Sequence, residues 1–113
     1  MANTFKNAYQ DVTSTPTDFV TAPATAGDIA IVLTLRVTNV DGSSSDTITA
    51  EVIDSDGTTK SYLAYQMTVP AGTSVELAGV SKVVLETSDK IQLTGGAALG
   101  DLEAFASILE ITS

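Results

Sequence analysis

The stretch DIAIVLTLRVTNVD, residues 28–41, constrains the fold more than any other part of the chain. Ile29, Ile31, Leu33, Leu35 and Val37 recur at every second position, with Ala30, Val32, Thr34, Arg36 and Thr38 between them. A period of two over ten residues is the repeat of a pleated strand, which the 3.6-residue repeat of a helix cannot reproduce. Composition agrees with this reading. The chain holds 17 Thr, 11 Val and 7 Ile, about 31% of its residues, and their stiff χ1 angles suit a pleated surface better than a helix.

The same pattern recurs in shorter runs separated by turn residues. Residues 1–17 read as a polar N-terminal arm carrying Phe5 and Tyr9, with a short strand over 5–12. Asp18 to Ala22 reads as a brief strand between Pro16 and Pro23, suited to an edge. After the loop Asp41 to Asp46, residues 47–53 present Ile48, Ala50 and Val52 on one face, and are expected to form a hairpin with the 28–41 strand. The turn Asp54-Ser-Asp-Gly57 leads into a strand over 58–69, where Tyr62 and Tyr65, three positions apart, are expected on opposite faces. Further short strands follow at 75–77, 82–86 and 90–94. A last strand, 102–112, is apolar on both faces: Phe105, Leu109 and Ile111 on one, Leu102, Ala104, Ala106 and Ile108 on the other. No helix longer than a turn is expected, the one candidate lying between Ala97 and Phe105. The pattern predicts an all-β protein: a single β-sandwich or jelly-roll-like domain (18–113) of about eight antiparallel strands, preceded by an arm or edge strand (1–17).

What the chain lacks narrows its chemistry. It has no Cys, no His and no Trp, and carries 14 Asp+Glu against 5 Lys+Arg, for a net charge of −9. Thiolate nucleophiles, Ser-His-Asp triads and the usual zinc ligand sets are therefore excluded. Five scattered cations make no footprint for a phosphate backbone, so no nucleic-acid partner is expected. The longest unbroken apolar run, Ile29 to Leu33, is far too short to span a bilayer as a helix, and the first ten residues hold no apolar signal core. No membrane partner is expected, and synthesis is expected in the cytoplasm.

Four candidate sites remain. Asp54-x-Asp56-Gly57 opens like a calcium loop, but Gly57 and Tyr65 fall at the wrong positions for an EF-hand, leaving a surface Ca²⁺ site with Asp41 or Asp46 as the weaker alternative to an ordinary turn. The carboxylate pairs Asp54/Asp56, Glu86/Asp89 and Asp101/Glu103 sit among turn residues, where solvation gives them ordinary acidity and little promise as an acid–base pair. Residues 95–100, GGAALG, have P-loop glycine spacing without the Lys-Ser/Thr that would hold phosphate. Tyr62 and Tyr65 are candidates for sugar stacking, although six aromatics without Trp are a thin supply. The expectation is a non-enzyme without a cofactor.

The opening MANTFKNAYQDVTSTPTDFVTAP, the strand IAIVLTLRVTNVDG, the stretches MTVPAGTSVELAG and KVVLETSDKIQLTG, and the close FASILEITS together resemble small virion structural proteins of tailed bacteriophages. The resemblance covers nearly the whole chain and rests on a layout of strands and turns. It implies a capsid decoration (cement) protein: a β-sandwich that binds the outside of the shell, contacts the major capsid protein and sister subunits, and forms a homodimer or homotrimer. A tail, neck or fibre component is the alternative within the same class, and a small carbohydrate-binding or adhesion module the alternative outside it. The residues expected at a partner contact are Phe5, Tyr9, Phe19, Tyr62, Tyr65, Phe105 and Ile108.

Overall fold

The computed structural model describes residues 2–78, 81–96 and 101–113. They form nine strands: β1 (Ala2–Val12), β2 (Thr17–Thr21), β3 (Ile29–Asn39), β4 (Asp46–Ile53), β5 (Lys60–Val69), β6 (Ser74–Glu76), β7 (Val83–Leu85), β8 (Lys90–Gly95) and β9 (Leu102–Thr112). Two antiparallel sheets result. The first runs β1-β9-β3, with β6 and β7 both pairing the far side of β3; the second runs β2-β8-β4-β5. They stack face to face over Val12, Val32, Leu35, Val37, Ile48, Val69, Leu85, Ile91, Leu93 and Leu102, all essentially inaccessible to water. Truncating a buried leucine of this kind to alanine costs roughly 2–5 kcal/mol. The all-β sandwich expected from the strand pattern is therefore the fold observed.

The alternation of the 28–41 run is not unbroken. β3 buries Ala30 and Val32, then Leu35, Val37 and Asn39. Its register against β9 passes from Val32↔Ile108 to Thr34↔Ser107, so Leu33 is an extra residue. Such a bulge shifts the phase by one and exchanges the faces beyond it. Leu35 and Val37 point inward as a result, while Ile29 and Ile31 point outward. The five large residues expected on one face are divided between two.

β3 and β4 were expected to pair as a hairpin, and they do not. β3 belongs to the first sheet and β4 to the second, so residues 40–45 carry the chain across the sandwich. Asn39 holds that crossing. Fully buried, it donates from Nδ2 to the Ser44 and Val69 carbonyls (2.9 and 3.0 Å) and accepts the Asp41 N–H on Oδ1 (2.9 Å). The true hairpin is β4–β5, closed by a turn in which Gly57 has φ of 78°. That positive φ costs glycine little and other residues more.

β5 departs from regular pairing twice. Its partners run Ile48↔Met67, Ala50↔Ala64 and Glu51↔Tyr62, and Gln66 takes a φ of 46° while its N–H donates to Thr49 Oγ1 at 3.0 Å. These bulges bring Tyr62 and Tyr65 to the same side, with ring centroids 4.8 Å apart and planes inclined at 64°. The opposite-face expectation failed because it assumed an unbroken pleat. At the end of β8, a Cβ on Gly95 would lie 3.2 Å from Val12 Cγ1, and its N–H donates to the Thr13 carbonyl at 2.7 Å. Glycine thus permits the close approach that joins the end of β1 to the second sheet. The helical turn expected between Ala97 and Phe105 lies partly outside the described residues, and from Leu102 onward the chain is strand.

Candidate partner-binding surface

The outer face of the first sheet presents an apolar row across four strands. Phe5 on β1 opposes Leu109 on β9, Leu109 opposes Ile31 on β3, and Ile31 opposes Val84 on β7. Directly opposed residues share a face, so these four side chains point the same way. Phe5 is 75% exposed and Val84 55%, while Leu109 and Ile31 are half-buried by their neighbours. A second row, Asn3–Ile111–Ile29, flanks it. Large apolar groups gathered on one outer face, and not scattered singly, mark an interaction surface.

Toward the other end of the same face the rows turn aromatic and then charged. Tyr9 opposes Phe105, with ring centroids 5.3 Å apart, and Phe105 opposes Arg36. Tyr9, Phe105, Arg36, Thr38, Asp11 and Glu103 border a shallow depression of about 370 Å³. Asp11 lies directly opposite Glu103. Among the described residues neither carboxylate has a hydrogen-bond or ion-pair partner.

Of the residues expected at a partner contact, Phe5, Tyr9 and Phe105 are brought together here. Ile108 is 6% exposed and packs in the chain's own core, which removes it from any contact surface. Phe19, at the irregularity in β2, is half-buried against the core. Tyr62 and Tyr65 stand on the second sheet, about half exposed, and their inclined rings do not make a flat stacking platform. Ile31 and Val84 were missed: the bulge at Leu33 conceals the first, and the second lies in an apolar pair, Val83-Val84, whose outward member no pattern identifies.

The acidic loops are occupied with their own backbone. Asp56 accepts the Thr59 hydroxyl (2.7 Å) and the Thr58 and Thr59 N–H groups (2.8 Å each), which hold its pKa down at about 2. Asp41 accepts the Ser43 and Ser44 N–H groups and the Ser43 hydroxyl, which lower its pKa, and Asp46 accepts the Thr47 N–H. Asp46 opens β4 and Asp54 follows its other end, so the turn and the 41–46 loop lie a strand's length apart. Among the described residues, carboxylates converge within 4.8 Å at Asp54, Glu86 and Asp89. Asp89, buried among them, already accepts the Ser55 and Glu86 N–H groups at 3.1 and 3.0 Å.

No family model matches the sequence, and no curated protein does. Solved structures with the same fold include chains from three settings. A chain of Bacillus endospore appendages, a family of disulfide-linked pili, aligns over 98% of this chain and 87% of its own at 15% identity, with a TM-score of 0.55. A chain of the acidic stable capsid of Helicobacter pylori bacteriophage KHP30 aligns over 99% and 89% at 15% identity, again with a TM-score of 0.55. The infectious bursal disease virus Gx strain supplies a third, with 14% identity and a TM-score of 0.53. There the alignment covers 97% of this chain but only 30% of the other. These likenesses define the class: a β-sandwich of the kind found in viral capsids and in a spore pilus.

Proposed function

We propose that the chain is a non-enzymatic structural protein of a phage particle, a decoration protein that binds the outside of the capsid and stiffens it. The observation that carries this reading is the apolar row Phe5–Leu109–Ile31–Val84 on an otherwise strongly acidic molecule. Covering such a row lowers the free energy, by roughly 1.5–3 kcal/mol for a large side chain taken from exposed to buried and by less for the half-buried Leu109 and Ile31. A clamp across neighbouring capsid subunits needs that area and needs no chemistry. The KHP30 capsid chain supports the reading because its length is comparable, so a sandwich of this size has a place in a capsid without a larger protein around it. The partners are then the major capsid protein and sister subunits, and the location is the virion exterior.

Capsids stripped of the protein test the proposal. Purified protein should rebind them and raise their melting temperature; no rebinding, with label found on tails, overturns it. Salt separates the two parts of the face. Rebinding that weakens as salt rises means that the acidic surface meets a basic counterpart, whereas salt-independent rebinding assigns the contact to the apolar row. A second reading, a tail, neck or fibre component, draws on the pilus chain of nearly equal length, since that neighbour builds filaments. Imaging a label on this protein in intact particles distinguishes the two.

A further inference from the structure

Each sheet edge except one is blunted. β2 has five residues, an irregularity at Phe19 and a proline on either side. β5 carries two irregularities and the positive φ of Gln66. β6 and β7 are three residues each. β1 differs on every count: eleven residues, no bulge against β9, no proline, and, among the described residues, no strand paired along its outer edge. Edges of this kind recruit another strand, and proteins that do not use them disrupt them by the devices seen at the other three.

We infer that β1 pairs antiparallel with β1 of a second copy, joining the first sheets of two molecules into one continuous sheet. The strand is self-complementary. A two-fold axis at Asn7, the midpoint of Ala2–Val12, pairs all eleven residues and sets Phe5 against Tyr9 of the partner on the outer face, twice. β1 carries two charges, Lys6 and Asp11, so the strip is neutral on a chain of net −9. In this register Lys6 faces an alanine (Ala8) and Asp11 faces an asparagine (Asn3), so no like charges oppose each other. The burial pattern fits as well. On the inner face Ala2, Thr4 and Lys6 are exposed, Ala8 and Gln10 half-covered and Val12 buried. The two-fold therefore sets the covered end of one strand against the open end of the other. Eleven antiparallel pairs supply about ten backbone hydrogen bonds, the complement of an ordinary protein interface.

The pairing does not depend on the capsid reading, because it is measured in solution with no capsid present. Sedimentation equilibrium of the purified chain over about 1–100 μM should show a dimer. Asn7→Lys sets two like charges face to face at the axis on an exposed position, and should weaken the dimer by roughly tenfold or more while leaving the far-ultraviolet spectrum unchanged. Because the chain has no cysteine, Asn7→Cys provides a single thiol. Opposed Cα atoms of about 4.5–5.5 Å fall within disulfide reach, so mild oxidation should give a covalent dimer. Asn3→Cys, whose own copy lies far along the strand, should stay uncrosslinked under the same conditions. A wild type that sediments as a monomer or trimer throughout, or crosslinking to equal extent at the two positions, would overturn the inference.

Discussion

The two outer faces of the sandwich are built on the same plan and differ in what they carry. Across four strands of the first sheet runs Phe5–Leu109–Ile31–Val84; across four strands of the second runs Asp18–Gln92–Glu51–Tyr62. In the second row the polar groups answer one another. Gln92 donates to Asp18 at 2.8 Å, Lys90 reaches Asp18 at 3.3 Å, and Lys60 reaches Glu51 at 3.4 Å. The hydrogen bond from Gln92, followed by the Lys90 ammonium, holds the Asp18 pKa below its ordinary value. On the first sheet Asp11 and Glu103 face each other, and among the described residues neither has an ion-pair partner. The acids of the second row are paired and those two are not, and on the proposed function it is the unpaired, apolar face that docks.

The contrast depends on the sheets being held in place, and Asn39 is where it breaks most severely. Asn39→Leu preserves volume but strands the Val69 and Ser44 carbonyls and the Asp41 N–H. Buried groups left without partners cost about 1–3 kcal/mol each, and some will find water, so a loss of roughly 3–5 kcal/mol is expected in urea unfolding. A loss below about 1 kcal/mol would mean that the crossing between sheets is held by something else.

Next in size is a direct exchange of character between faces. Val84→Asp puts a carboxylate at the β7 end of the apolar row and should weaken capsid rebinding about a hundredfold, with little change in melting temperature because the site is already exposed. Tyr62→Asp makes the same change on the other face and should alter rebinding by no more than about twofold. The reverse outcome would assign docking to the second sheet.

A smaller effect tests whether the polar pairs of the second sheet stabilise the fold. Glu51 keeps only 14% of its side chain accessible, and its Oε2, buried without a hydrogen bond, has the Lys60 ammonium as its neighbour. Lys60→Met should cost about 1 kcal/mol, and Glu51→Gln in that background should recover part of it, since the neutral amide no longer needs a cation. Additive costs would show the two residues to be independent.

The sandwich was legible in the sequence because alternation and turn chemistry are local. β9 shows this best: its inward set, Leu102, Ala104, Ala106 and Ile108, is buried as the alternation required. What was not legible depends on single extra residues. Leu33 moves Ile29 and Ile31 to the outer face, and the irregularities in β5 bring Tyr62 beside Tyr65. No residue type announces a bulge where both faces are apolar or both polar. The assignment of β3 and β4 to different sheets was hidden for a related reason: a loop of Gly and Ser serves a hairpin and a crossing equally well, and the bonds that hold the crossing, from the Asn39 side chain and from the backbone of Val40 and Asp41, reach residues remote in sequence. Phe5 and Tyr9 were recognisable as contact candidates because large aromatics on one face of a polar strand have no core to enter, and Phe105 because a strand apolar on both faces can bury only one of them in its own core. Ile31 and Val84 needed the register.

The smallest expected effect concerns Asp56, in the turn that closes the hairpin of the second sheet. Its pKa of about 2 comes first from the Thr59 hydroxyl and then from the Thr59 and Thr58 N–H groups, all of which donate to the ionised form. A carboxylate depressed in the folded state stabilises the fold above its unfolded pKa of roughly 4 and loses that contribution as pH falls toward 2. The contribution is small because the turn is open to water and its charge is screened. Asp56→Asn should therefore melt below wild type at pH 6, and the gap should close only as pH falls through about 2. Thr59→Val, which removes the largest donor, should raise the Asp56 midpoint in an NMR titration toward the ordinary carboxylate value. A midpoint unmoved by Thr59→Val would leave the acidity of this turn to the two N–H groups alone. It would also remove the clearest case in which an acid on the second sheet is spent on the fold and so unavailable to a ligand.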